Sequence, residues 1–231
     1  STIITVSIDV LATTVGVVGE DYDTVSNFRD LTDTFVSGRA AYAISPDVAV
    51  FVQGRTGDLD YESSNRDGTR STVQVGASFE LQAPFRGEIA VGSFKDEKDS
   101  PLFQDTDGLS VDGRLFWFPT QLTTVSLRAN RGAADSGLVL APTATNTVFA
   151  IRVDHELMRN VLLFGDIAQG EYAYEGIDRK DEFTDFTAGA GYKLNKRARL
   201  ELSYRLRSQD STVADRDIAQ HVVSAGLRIY P

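Results

Sequence analysis

The residues able to do ionic chemistry in this chain are spaced two apart. Asp112 is followed by Arg114, Arg152 by Asp154, Arg199 by Glu201 and Arg205 by Arg207, with an apolar or small residue between each pair. Such spacing puts both members on one side of an extended chain, whereas a helix would splay them. The same parity, followed along the chain, collects Arg39, Arg55, Arg86, Arg114, Arg128, Arg152, Lys193, Arg199, Arg205, Arg207 and Arg228. It also collects Asp9, Glu80, Glu88, Asp112, Asp154, Asp166 and Glu201, so the face holds eleven basic and seven acidic groups. A guanidinium fork grips a carboxylate through two parallel hydrogen bonds. In a confined passage a surplus of such forks selects anions or acidic sugars. With the signs matched, the same residues knit into a salt-bridged filling that passes nothing. Both behaviours stay open at this point. The formal charge of the chain is −10, so a basic face implies strongly acidic loops around it.

Other chemistries find less support. There are no cysteines, which removes disulfides, thiolate metal sites and cysteine nucleophiles. The two histidines, His155 beside a tight turn and His221 near the end of the chain, have no Ser and carboxylate arranged around them in sequence. Acidic clusters at Asp96, Glu97, Asp99, Asp105 and Asp107, and at Asp178, Asp181, Glu182 and Asp185, contain no twelve-residue calcium loop and read as solvated loops. Phosphate-cradling glycine loops and metal-spaced histidines are absent. The acidic pI near 4.7 argues against nucleic acid, whose phosphates need a basic stripe. The expectation is no enzyme, no cofactor and no metal.

The elements that carry these residues are strands. Apolar residues alternate with the charged ones: Val73, Val75, Ala77, Phe79 and Leu81; Leu109, Val111, Leu115 and Trp117; Leu200, Leu202, Tyr204 and Leu206. Two stretches are less regular, the one around Phe35 to Tyr42 and the one interrupted by Gly165 and Asp166. Tight-turn residues recur at about 46, 84, 119, 157 and 195, and longer polar segments lie near 19 to 32, 56 to 70, 95 to 107, 131 to 146, 173 to 182 and 208 to 217. Five short turns alternating with six long loops join twelve strands and segregate by length. That is the pattern of outer-membrane barrels, with short periplasmic turns and long extracellular loops. No run approaches the roughly 20 apolar residues of a transmembrane helix, so the chain crosses a bilayer as a barrel or not at all. Aromatics near strand ends read as two interfacial girdles: Phe85, Phe116, Trp117, Phe118 and Tyr192 toward the turns, and Tyr22, Phe94, Tyr172, Tyr174 and Phe183 toward the loops.

Alternation alone does not say which face points out. A soluble barrel would bury its apolar face, and eight strands would enclose it. Twelve strands are too wide for one layer of Val, Leu and Ala to fill, which places the apolar face against lipid and the ionic face in a lumen.

The segments Phe118-Pro-Thr-Gln-Leu-Thr-Thr-Val-Ser-Leu127, Asp154-His-Glu-Leu-Met-Arg-Asn-Val-Leu-Leu163 and Tyr192-Lys-Leu-Asn-Lys-Arg-Ala-Arg-Leu-Glu-Leu-Ser-Tyr204 resemble the β-barrel porin type 2 family of Gram-negative, mainly alphaproteobacterial, outer membranes. The likeness runs from about Phe35 onward. It implies an outer-membrane barrel, often associated with exopolysaccharide production or export, and carries over no catalytic residue. The ending Leu227-Arg-Ile-Tyr-Pro231 departs from the usual barrel terminus, where an aromatic is last.

The resulting expectation is one all-β domain over residues 1–231, an antiparallel transmembrane barrel of twelve strands in a bacterial outer membrane. It passes hydrophilic, including acidic, saccharides, or belongs to a system that exports them. Its partners would be outer-membrane lipid and lipopolysaccharide, together with other envelope or polysaccharide-export proteins. A non-conducting scaffold and a soluble barrel with an apolar ligand are the alternatives. The chain begins at Ser1 with no Met or signal peptide, as a trimmed or mature segment does. A region ahead of Ser1 stays open.

Overall fold

The computed structural model describes residues 4–15 as backbone and residues 31–61, 66–81, 84–138 and 140–229 in full. Most of the expected loop at 19 to 32 with Tyr22, the turn residue Ala83, the Asp9 side chain and Tyr230 lie outside the described residues.

Every described element is a strand: β1 Ile4–Val15, β2 Leu31–Ser45, β3 Val48–Tyr61, β4 Gly68–Glu80, β5 Phe85–Lys98, β6 Thr106–Thr120, β7 Thr123–Asp135, β8 Thr143–Met158, β9 Val161–Tyr174, β10 Arg179–Lys193, β11 Ala198–Ser211 and β12 Ile218–Ile229. Strands β2 to β12 form one antiparallel sheet of eleven in chain order, and the backbone of β1 pairs ahead of β2 from Ile4 opposite Tyr42 to Val15 opposite Leu31. No described register joins β12 to β1.

Three of the five short connections fall on the expected turn residues, whereas the other two lie at Gln121-Leu122 and Arg159-Asn160, because β6 and β8 stay ladder-paired through Pro119-Thr120 and Leu157-Met158. Three of the five carry a register irregularity beside the turn, between Ala43 and Ser45, Trp117 and Thr120, and Glu156 and Met158. Bulges of this kind bend a strand where pairing must end.

The long connections are shorter than their composition suggests. β3 runs to Tyr61 and β4 starts at Gly68, while β9 runs to Tyr174 and β10 starts at Arg179. Polar, Asp- and Gly-rich stretches that read as loops are ladder-paired extensions of the strands. Composition reports where side chains meet water, but hairpin pairing continues as long as backbone partners remain. Both irregular stretches are also continuous strands, because Gly165 and Asp166 keep their partners Ala188 and Thr187 on β10.

Directly opposed residues of an antiparallel ladder point to the same face, so the registers carry a face from strand to strand. The face holding Val36, Val52, Val75, Val91, Phe149 and Leu202 is open. Val73 and Val75 are each 58% exposed, Leu202 57% and Val223 72%. The apolar rows do not pack against one another. This overturns the soluble-barrel alternative, which requires them inside.

Candidate functional site: the charged face

One row fixes the other face: Arg39 opposes Gln53, Gln53 opposes Gln74, Gln74 opposes Gly92, and Gly92 opposes Ser110. Continued through the remaining registers, this face receives all seventeen fully described ionic candidates from Arg39 to Arg228. Asp9 is the register partner of Ser37 on the same row system.

The sheet curls toward this face. Arg39 on β2 and Glu88 on β5 lie three strands apart, roughly 14 Å along a flat sheet. Yet Arg39 Nη1 donates to Glu88 Oε1 at 2.9 Å and Nη2 to Oε2 at 2.7 Å. At the long-loop end Arg66 reaches Asp135 at 2.9 Å, and the Thr143 hydroxyl on β8 donates to Asp96 on β5 at 3.4 Å. Bonds of this span require a concave surface.

Beyond Arg39 and Glu88, Arg55 pairs with Asp33 at 2.5 Å and Arg207 with Asp185 at 3.4 Å across strands. Arg152 holds Asp154 bidentately at 2.8 Å, and Arg199 sits 3.8 Å from Glu201. Among the described residues Arg86, Arg114, Arg128, Lys193, Arg205 and Arg228 have no carboxylate within ion-pair distance. The expected neighbours Asp112 and Arg114 do not pair; Asp112 instead accepts from Asn130 at 3.4 Å. Arg114 and Arg128 oppose each other directly, and both are exposed. Glu88, the residue opposite Arg114 on its other side, is engaged by Arg39.

The sequence reading missed the aromatics of this face. Phe35, Phe51, Phe164 and Phe183 interrupt the polar parity and lie among the ions. Each directly opposes a glycine: Phe35 Gly57, Phe51 Gly76, Phe164 Gly189 and Phe183 Gly170. Each fills the space a Cβ on that glycine would need. A diagonal arginine covers each ring: Arg55 over Phe35 at 3.6 Å, Arg39 over Phe51 at 3.5 Å, Arg152 over Phe164 at 4.9 Å and Arg207 over Phe183 at 5.0 Å. This layered unit of glycine, ring and guanidinium supplies packing where a strand lacks a side chain, and a cation–π contact above it. The recognisable signal was a Phe at a polar parity position opposite a Gly.

The loop-side girdle is corrected by the same observation. Phe94 and Phe183 are buried on the charged face, and Tyr172 stacks on Phe183 at 5.5 Å. Tyr174 lies under Arg179 at 4.6 Å. On the turn side, Phe85 and Trp117 stack on the apolar face at 6.1 Å and Tyr192 is exposed there, whereas Phe116 and Phe118 lie under Arg86.

Two acidic residues read as solvated are buried. Asp96 is paired with Arg70 and, at 2.9 Å, with Lys98. Asp181 accepts from Arg179 at 2.9 and 2.5 Å, from Tyr174 at 2.9 Å and from Ser211 at 2.6 Å. On β10 the exposed apolar row begins at Phe186, so Asp181 lies beyond it. Burial works against the charged form of Asp181, but the hydrogen bonds from Arg179, Ser211 and Tyr174 outweigh it and hold the carboxyl below its ordinary range. His155 Nδ1 is 3.0 Å from the Thr123 hydroxyl and His221 Nδ1 is 2.6 Å from the Tyr204 hydroxyl. Neither contact includes a carboxylate. Among the described residues no group of three metal-ligating side chains converges.

Residues 13–230 match the family described as "Putative beta-barrel porin 2". The chain belongs to this family. Membership extends further toward the N-terminus than the likeness read from Phe35 onward. No curated protein matches the chain. Among solved structures, it resembles the FrpB iron transporter from Neisseria meningitidis (F3-3 variant), at 10% identity and a TM-score of 0.59 over 85% of this chain. The chain spans 40% of that transporter. It also resembles OmpT, an outer-membrane protein of Vibrio cholerae in its trimer form, at 12% identity and a TM-score of 0.50, covering 99% of this chain and 84% of that one. At such identities the likeness concerns the fold. With an exposed apolar face, this porin 2 family member is a porin-like β-barrel protein of the bacterial outer membrane.

Proposed function

We propose that the chain closes as a twelve-stranded barrel and passes hydrophilic anions, acidic saccharides among them, along the charged face. The observation that carries this reading is the set of exposed arginines without carboxylate partners, Arg114, Arg128 and Arg205, on a concave face whose other side is exposed and apolar. Closure is supported by the antiparallel order, which leaves β1 and β12 oppositely directed, and by the cost of an unpaired strand edge in hydrocarbon. The four charged-face phenylalanines named above lie under guanidiniums. Their covered faces favour ionic recognition over stacking of neutral sugars. Lipopolysaccharide is the expected neighbour on the loop side, and proteins of a polysaccharide-export system the expected partners. In this reading no step is catalytic.

Planar-bilayer recording on the purified protein tests it. Steady current with anion preference is expected, and changing Arg114, Arg128 and Arg205 together to Ser shifts selectivity toward cations. A conducting protein whose selectivity ignores the triple change would remove these residues from the passage. The second reading, a non-conducting scaffold, is favoured by the cross-face ion pairs and by the loop-end cluster of Asp96, Lys98 and Thr143. A silent barrel in the same recording supports it.

A further inference from the structure

The pair Arg39 and Glu88 does more than tie β2 to β5. Arg39 Nη1 also donates to Gln53 Oε1 at 3.2 Å, Gln53 Nε2 to Gln74 Oε1 at 2.7 Å, and Gln74 Nε2 to the Ser110 hydroxyl at 2.9 Å. Gly92, the register partner of both Gln74 and Ser110, has no side chain to stand between them, so the relay crosses β5 unbroken. A polar bar therefore crosses the concave face from β2 to β6. On its turn side lies a cavity of about 740 Å³ containing Glu80, Arg86, Glu88 and Arg114. On its loop side lies a second, of about 490 Å³, containing Arg39, Arg55, Arg70 and Ser110. The side chains of Arg39 and Glu88 keep 31% and 37% of their surface exposed, so the bar is bathed in solvent.

We propose that this bar is the charge filter of the passage, with Arg39 and Glu88 as its specificity-determining pair. The inference rests on the conducting reading given above. Each ion cancels the other's field while they are joined, and together they stand between the two cavities. Freed of Glu88, the Arg39 guanidinium offers a fork to a passing carboxylate or phosphate. Freed of Arg39, Glu88 repels the same solute. The stacking of Arg39 on Phe51 keeps the guanidinium in place when its partner is removed.

The test uses reversal potentials in a KCl gradient and single-channel conductance of the whole chain in planar bilayers. Heat-modifiable gel mobility confirms that each variant folds. Glu88→Gln should raise anion preference and Arg39→Gln should lower it. Changing both to Ser should widen the way between the two cavities and raise conductance above that of the original protein. A conducting channel in which neither single change moves the reversal potential, and the double change leaves conductance at its original value, overturns the filter and leaves the pore standing. Silence in the original protein and in every variant overturns both.

Discussion

The ring of Phe51 occupies the space that a Cβ on Gly76, its direct partner across β3 and β4, would need. Arg39 lies over the same ring at 3.5 Å, so one glycine supports both the packing and the cation of the polar bar. Gly76→Val should expel the ring, disturb the Arg39 contact and destabilise the barrel by about 1–3 kcal/mol. Urea unfolding of the lipid-embedded protein measures this. An unchanged midpoint would show that the ring relocates freely.

The buried Asp181 accepts four close hydrogen bonds across β9, β10 and β11. Asp181→Asn leaves the Arg179 guanidinium uncompensated, with an expected loss of about 3 kcal/mol at neutral pH.

The same residue gives a pH dependence. Its carboxyl titrates below the ordinary range in the folded chain, so its stabilisation is complete above the unfolded value near 4 and is lost as pH falls through the lower folded value. The difference in urea midpoint between the original protein and Asp181→Asn should therefore shrink in strong acid. An equal difference at neutral and strongly acid pH would remove the titration from the argument.

The two faces should respond oppositely to an added charge. Val75→Arg sets a guanidinium among exposed Val52 and Val91 and should cost about 2–4 kcal/mol near the bilayer midplane. Asn130→Arg, on the charged face beside Asp112, should be tolerated. Folding yield into liposomes compares the two.

Closure has a direct check, because the chain contains no cysteine. Single cysteines scanned along β1 against one at Ser224 on β12 should give one position that cross-links in the folded barrel and not in urea. A scan that yields no cross-link would mean that β1 and β12 do not meet, and closure would fail.

Local spacing alone determined the two faces of this protein. A strand has a period of two, so the parity that joins Arg152 to Asp154 also separates both from Val153, whatever the rest of the chain does. The turns at Pro46 and Asn195 were equally local, since turn residues act through their own backbone preferences. Tertiary structure decided what local spacing cannot contain. Arg39 finds Glu88, 49 residues away, only because the sheet curls and brings β2 over to β5. Asp96 and Asp181 sit in acidic, loop-like stretches, and their burial depends on strands and loops from elsewhere in the chain. Phe35, Phe51, Phe164 and Phe183 fit on the charged face because each has a glycine opposite, and register, a property of two strands together, chooses that partner.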